Sequence, residues 1–144
     1  MNHSNFTSLI SEALRHLHLQ DATNAVAVVQ HGDKWLLGLS ASRDDREHKW
    51  CFPGGRIKGN EGALNTARRE AKEEAGVKCS TTSNDLCLPK DKKTVFVHCK
   101  ASSADLDEPN REFIIFGWFT IRQMKGLKLH NNVLQVIDKF KRMH

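Results

Sequence analysis

Three glutamates, Glu70, Glu73 and Glu74, fall within one short stretch of helical composition. At ~100° of rotation per residue, the spacing i, i+3 and i+4 puts all three on one edge of a helix. Like charges so placed repel by about a few tenths of a kcal/mol per pair. A hard divalent cation relieves that repulsion, and carboxylate oxygens with open water positions suit Mg²⁺ or Mn²⁺. Held this way, such a cation polarises a phosphoryl group and lowers the pKa of a bound water. A glutamate-rich helix face on its own is commonly solvated surface, so the neighbouring residues decide its meaning.

Those neighbours are specific. Arg69 stands four residues before Glu73, where it can pair with that carboxylate and fix its orientation. Glu61 precedes the helix, where negative charge suits the macrodipole and where a carboxylate is within reach of the metal site. Gly54-Gly55 opens the segment, and paired glycines let backbone approach a ligand or metal closely. On a second face, Ala63, Ala67, Ala71 and Ala75 recur every four residues, with Leu64 beside them. That small-residue stripe lets the helix lie close to a sheet while its acidic edge borders a cleft.

Counting from Gly55, the order is five residues, Glu61, seven residues, Arg69-Glu70-Ala71, one residue, Glu73-Glu74, one residue, Gly76-Val77. This resembles the Nudix box, G-x5-E-x7-R-E-U-x-E-E-x-G-U with U aliphatic. Every fixed position matches, and Ala71 is a small residue at a U position. The resemblance implies an α/β class chain with the Nudix fold, an α/β/α sandwich with a mixed β-sheet. It further implies Glu70, Glu73 and Glu74 as metal ligands, with the Gly54 carbonyl as another. Arg69 resembles the arginine that positions a glutamate, and Glu61 the first glutamate of the box, which supports the metal or its water. The family often adds an acid from outside the box. Glu112 is the first choice here and Glu108 the second. The general base is Glu74 or that distal acid. The implied cofactor is Mg²⁺ or Mn²⁺, and the reaction is attack of water at phosphorus.

The elements that must hold this site are readable in outline. Residues 62–75 form the helix, and Gly76 sits at its C-terminal cap. Ala25–Val29 and Trp35–Leu39 flank His31-Gly32-Asp33 as a hairpin, and residues 40–49 form a polar loop. Trp50–Phe52 is a short strand leading to Pro53-Gly54-Gly55. Thr94–Lys100 and Glu112–Ile121 are further strands, separated by a polar loop over 102–110. Residues 122–130 are irregular with room for one helical turn, and Asn132–Arg142 is a final helix with Val133, Val136, Ile137 and Phe140 on one face. Residues 5–19 have the period of an amphipathic helix. Strands and helices mix without strict βαβ alternation, as a mixed sheet requires.

With 144 residues the chain is expected to be a single domain over 1–144. No apolar run approaches the ~20 residues that span a bilayer, and Met1–Ser8 lacks the pattern of a secretory signal. A cytoplasmic protein is expected, and its four cysteines (Cys51, Cys79, Cys87 and Cys99) are read as reduced thiols acting as small hydrophobes. The net charge of +5 fits an anionic small molecule, and no extended basic groove marks nucleic acid as the partner.

Substrate identity is thinner. Arg43, Arg46 and Arg56 flank the box as phosphate-binding candidates, and Trp50 and Phe52 are candidates to stack on a base, with core packing as the competing role for the aromatics. Pro89 is out of register with the proline of ADP-ribose hydrolases, and the chain has no tyrosine of the kind that dinucleoside polyphosphate hydrolases use. Elimination leaves cleavage of a nucleoside triphosphate or deoxynucleoside triphosphate to monophosphate and pyrophosphate. The alternatives are a nucleotide-sugar or ADP-ribose hydrolase, an RNA 5′-pyrophosphohydrolase, and a nucleotide-binding module without catalysis.

Overall fold

The computed structural model describes residues 22–41, 48–87, 93–108 and 112–143, with the backbone alone at 82–87. The helix expected over 5–19, and Arg43 and Arg46, lie outside these residues. Within them run β1 (Asn24–His31), β2 (Lys34–Ser40), β3 (Trp50–Cys51), β4 (Gly54–Arg56), α1 (Ala63–Ala75), β5 (Cys79–Cys87), β6 (Thr94–Ala101), β7 (Phe113–Phe119), α2 (Ile121–Met124) and α3 (Val133–Met143). No helix among the described residues is long and apolar enough to cross a membrane.

The strands form one seven-stranded mixed sheet, with β3-β2-β1-β6-β5 in order, β4 also pairing β1 and β7 also pairing β2. Strands β1 and β6 pair in parallel, unbroken from Asn24↔Thr94 to Gln30↔Lys100. The β1–β2 hairpin closes through Gly32, whose φ of 63° suits the tight turn. Its two strands stay paired only at Gln30↔Trp35 and His31↔Lys34. Beyond that they part, and residues 50–56 wedge between them. Trp50 and Cys51 pair with β2, and Gly54 to Arg56 pair with β1. The Ala27 amide donates to the Pro53 carbonyl at 2.8 Å, which joins the two halves of the wedge to β1.

Side-chain alternation along the strands gives the sheet two apolar faces. Ala27, Val29, Leu36, Val95, Val97 and Cys99 point to one face, where Ala67, Ala71 and Ala75 of α1 pack on them without solvent exposure. Val28, Trp35 and Leu37 point to the other, against Met124 of α2 and Val133, Val136, Ile137 and Phe140 of α3. The result is three layers, α1 over the sheet over α2 and α3. A stripe of alanines on α1 brings its backbone close to the sheet, so its acidic edge is held at a fixed height above the strands.

Two strands exceed the sequence expectation. β4 is Gly-Gly-Arg, which carries no strand pattern of its own and is extended because β1 pairs it. β5, Cys-Ser-Thr-Thr-Ser-Asn-Asp-Leu-Cys, lies at the end of the sheet order, where a polar sequence suffices. β7 stops at Phe119 rather than continuing to Ile121. Thr120 turns the chain into α2 through a capping box, its hydroxyl accepting from the Gln123 amide while the Gln123 side chain accepts from the Thr120 amide.

Candidate active site

The site is built around one guanidinium. Arg69 Nε donates to Glu61 Oε2 at 2.9 Å and Nη2 to Glu61 Oε1 at 3.0 Å, a two-pronged pair that ties the loop before α1 to the middle of the helix. Nη1 donates to Glu70 Oε1 at 2.8 Å and to Glu73 Oε2 at 3.2 Å. Nη2 also donates to the Arg56 carbonyl at 3.1 Å, which fixes the end of β4. The pair with Glu73 expected from spacing is present, but Glu61 is the principal partner. Helical periodicity could not show that contact, because Glu61 lies before the helix.

Glu61 is itself over-determined. The buried Thr66 hydroxyl donates to its Oε1 at 2.7 Å, and its own amide donates to the Lys58 carbonyl at 2.9 Å. The hydrogen bonds from Arg69 come first, then the one from Thr66, in holding this carboxyl down at about 2, below its ordinary 4.5. The converse holds for Arg69, where the hydrogen bonds to Glu61 lead in pushing the guanidinium's pKa above its usual value. Both groups are charged at any working pH. Thr66 carried no signal in the sequence, since a threonine inside a helix is ordinarily neutral surface or core.

Glu70 and Glu74 are the buried acids, 9% and 3% exposed, whereas the Glu73 side chain is 57% exposed. Room for Glu70 is made by Gly55, where an added Cβ would fall 2.3 Å from Glu70 Oε1. The close approach expected of the glycine pair is therefore to a carboxylate at Gly55. Gly54 meets β1 instead, where a Cβ would fall 2.8 Å from the Ala25 carbonyl. Glu74 Oε2 is buried and has no hydrogen-bond partner. Burial leads in raising the Glu74 pKa well above the ordinary carboxylate range, followed by the adjoining Glu70 and then Glu112 carboxyls. Without a counter-charge Glu74 holds its proton at neutral pH.

Glu112 adjoins the Glu74 carboxyl. It stands just before β7, exposed, beside Glu74, and its carbonyl accepts from the Ala41 amide at 3.0 Å. Glu108, the second choice, lies in the exposed loop over 102–108. Asp107 from that loop closes the far end of α1. Its amide donates to the Ala75 carbonyl at 2.9 Å, while Gly76, at φ 73°, donates to the Lys72 carbonyl.

The other candidates separate. Arg56 is exposed at the end of β4 and contributes its carbonyl to Arg69. Phe52 is 8% exposed in the core on the α3 side of the sheet, and Trp50 is half-buried there, its ring 4.9 Å from that of Phe119. Both therefore have the packing role that competed with base stacking. Trp118 lies on the α1 side and donates from Nε1 to the Ala104 carbonyl at 2.8 Å.

Among the described residues, no three metal-binding side chains stand already gathered around a common point. The donor chemistry nonetheless suits a hard cation. An unpartnered buried carboxylate oxygen on Glu74, with Glu70 and Glu112 beside it, is an arrangement a divalent ion would neutralise and satisfy.

The NUDIX domain model matches residues 18–140. A NUDIX-family hydrolase from Clostridium perfringens superposes with TM-score 0.65 at 18% identity, over 85% of this chain and 99% of that one. An Ap4A hydrolase from C. elegans superposes with TM-score 0.65 at 18% identity, over 83% and 96% of the two chains. An ADP-ribose pyrophosphatase from Streptococcus suis gives TM-score 0.66 at 23% identity, over 83% and 89%. No curated protein matches the chain in sequence.

Proposed function

The chain belongs to the Nudix family, and from that premise we propose that it is a divalent-metal-dependent pyrophosphohydrolase that cuts a diphosphate linkage in a nucleoside diphosphate derivative, with a nucleoside or deoxynucleoside triphosphate as the first substrate. The observation that carries this is the buried, unpartnered Glu74 oxygen set between Glu70 and Glu112. A buried carboxylate oxygen left without a hydrogen bond costs about 1–3 kcal/mol, a cost that a bound divalent cation would offset.

Glu70 and Glu74 are the groups that would hold Mg²⁺ or Mn²⁺, with Glu73 and the Gly54 carbonyl completing the set. Bound there, the cation supplies charge neutralisation on the diphosphate and Lewis-acid polarisation of phosphorus. Every other contribution comes from the chain itself. Arg69 holds Glu70 and Glu73 in place, and Glu61 holds Arg69. Glu112 is exposed at the rim while Glu74 is sealed, so Glu112 is assigned to accept the proton of the attacking water and Glu74 to ligation. Arg43, Arg46 and Arg56 are assigned to the substrate phosphates.

A panel of nucleoside triphosphates, nucleotide sugars, ADP-ribose, dinucleoside polyphosphates and short 5′-triphosphate RNA, each with Mg²⁺ or Mn²⁺, tests this when the products are identified. The expected products are a nucleoside monophosphate and pyrophosphate. Absence of turnover across the panel with both metals rules out catalysis, and tight binding without turnover indicates a nucleotide sensor on the same fold.

A further inference from the structure

The box leaves the residues between Glu61 and Arg69 unspecified, and one of them is built into the site. Thr66 is fully buried, and its hydroxyl donates to Glu61 Oε1 at 2.7 Å, the short length of a bond to a charged carboxylate. That same oxygen accepts from Arg69 Nη2 at 3.0 Å, and Glu61 Oε2 accepts from Arg69 Nε at 2.9 Å. Thr66 and Arg69 therefore grip one carboxylate from two sides, and Arg69 carries the contact on to Glu70 and Glu73. Of the two, Thr66 is the stiff one. Its side chain is β-branched, and its hydroxyl oxygen also lies 3.1 Å from the Gly62 carbonyl one helical turn back, a contact that fixes its rotamer. Arg69 is long and 21% exposed, and it takes its place from the acids it meets. The N-cap residue is Gly62, which has no side chain to reach Glu61.

We propose that Thr66 is a positioning residue for the metal site: its hydroxyl sets the Glu61 carboxylate, which sets the plane of the Arg69 guanidinium, which in turn sets Glu70 and Glu73. Its weight in turnover rests on the hydrolase reading, whereas the bonds themselves need neither metal nor substrate. A guanidinium is flat, so a two-pronged pair with Glu61 fixes its rotation as well as its place. Without the Thr66 donor the Glu61 carboxylate can turn about its terminal bond, and the guanidinium turns with it. Nη1 then leaves the line on which it meets both Glu70 and Glu73. Thr66 acts through two other side chains and meets neither cation nor substrate. An outer partner of this kind is worth roughly 10–100-fold in metal affinity.

Two variants of the full chain separate the hydroxyl from the packing. Thr66→Val keeps the shape and removes the donor, and Thr66→Ser keeps the donor. In both, the Gly62 carbonyl retains the backbone amide of residue 66, which lies at 2.9 Å. Calorimetric titration is expected to show Mn²⁺ affinity roughly 10–100-fold weaker in Thr66→Val and close to wild type in Thr66→Ser. At saturating Mn²⁺, kcat should fall in Thr66→Val and recover in Thr66→Ser, with KM nearly unchanged. In ¹⁵N-labelled, metal-free protein, the Arg69 Nε–H proton should exchange with water faster in Thr66→Val than in wild type or Thr66→Ser. Unchanged Mn²⁺ affinity in Thr66→Val, or equal loss in both variants, would overturn the proposal and leave the hydrolase reading standing on wild-type turnover. A wild type that neither binds Mn²⁺ nor cuts any nucleotide would overturn the hydrolase reading instead, and the Arg69 Nε–H exchange then decides the positioning role by itself. If Thr66→Val does not fold, the wild-type spectrum decides: a Thr66 hydroxyl proton protected from exchange supports the bond to Glu61, and one that exchanges as freely as a surface hydroxyl overturns it.

Discussion

Arg69 makes five hydrogen bonds to Glu61, Glu70, Glu73 and the Arg56 carbonyl, and a guanidinium has five N–H groups to give. All of its donors are therefore engaged by the chain itself. Its principal partner sets a pH signature. The Glu61 carboxyl is held at about 2 against an ordinary 4.5, and a depressed folded-state pKa adds stability that is present above the unfolded value and lost as pH falls through the folded one. The stability difference between wild type and Glu61→Gln should thus be greatest near neutrality and shrink on acidification from about 4.5 toward 2, as thermal melts of metal-free protein across that range will show. A difference independent of pH would remove the ion pair from the account. The two acids assigned to ligation and proton transfer should part in their effects. Glu74→Gln should weaken Mn²⁺ binding and lower kcat, while the metal-free protein melts close to wild type, because a neutral amide replaces a carboxyl that is already protonated there. Glu112→Gln should lower kcat by on the order of 10²–10⁴-fold with Mn²⁺ affinity nearly kept. Equal loss of Mn²⁺ affinity in both would reverse the assignment.

At the scale of elements, β4 matters through what it leaves out. Gly55 has no Cβ where the Glu70 carboxylate lies, and a methyl group there would meet Oε1 at 2.3 Å. Gly55→Ala should therefore push Glu70 out of place and cut Mn²⁺ affinity by roughly 10–100-fold with little change in melting temperature. Calorimetric titration with Mn²⁺ measures the first and a thermal scan the second, and unchanged affinity would detach Gly55 from the metal site. How far the elements were legible follows the same physics. α1 was clear in the sequence because its alanine stripe and its terminal Gly76 are local signals. The β1–β2 hairpin was clear because apolar runs flank a Gly-Asp turn. β4 and β5 were hidden because their extension comes from partners on β1 and β6, many residues distant, which no local pattern records. The same limit explains the site. The acids on α1 announce themselves by spacing, whereas the bond from Arg69 to Glu61 and the support from Thr66 depend on how the preceding loop folds back. Glu112 reached the list of candidates through family resemblance, not through its local sequence.

For the molecule as a whole, the sheet keeps two cores apart. The acids belong to the α1 side, while Trp35, Phe52 and Phe140 fill the side under α3. Phe140 is fully buried there, so Phe140→Ala should cost about 3–5 kcal/mol of stability and leave kcat unaltered well below the new melting point. A matching fall in kcat would mean that the two layers are mechanically coupled through the sheet. The parting of β1 from β2 bears on this division. Residues 50–56 enter the gap between them and carry the chain from a strand pair rooted in one core to glycines that border the other. The insert works as a keystone. It can be set only after both flanking strands are in place, so residues 50–56 should be the last part of the domain to become protected against hydrogen exchange during refolding and the first to lose that protection under mild denaturant.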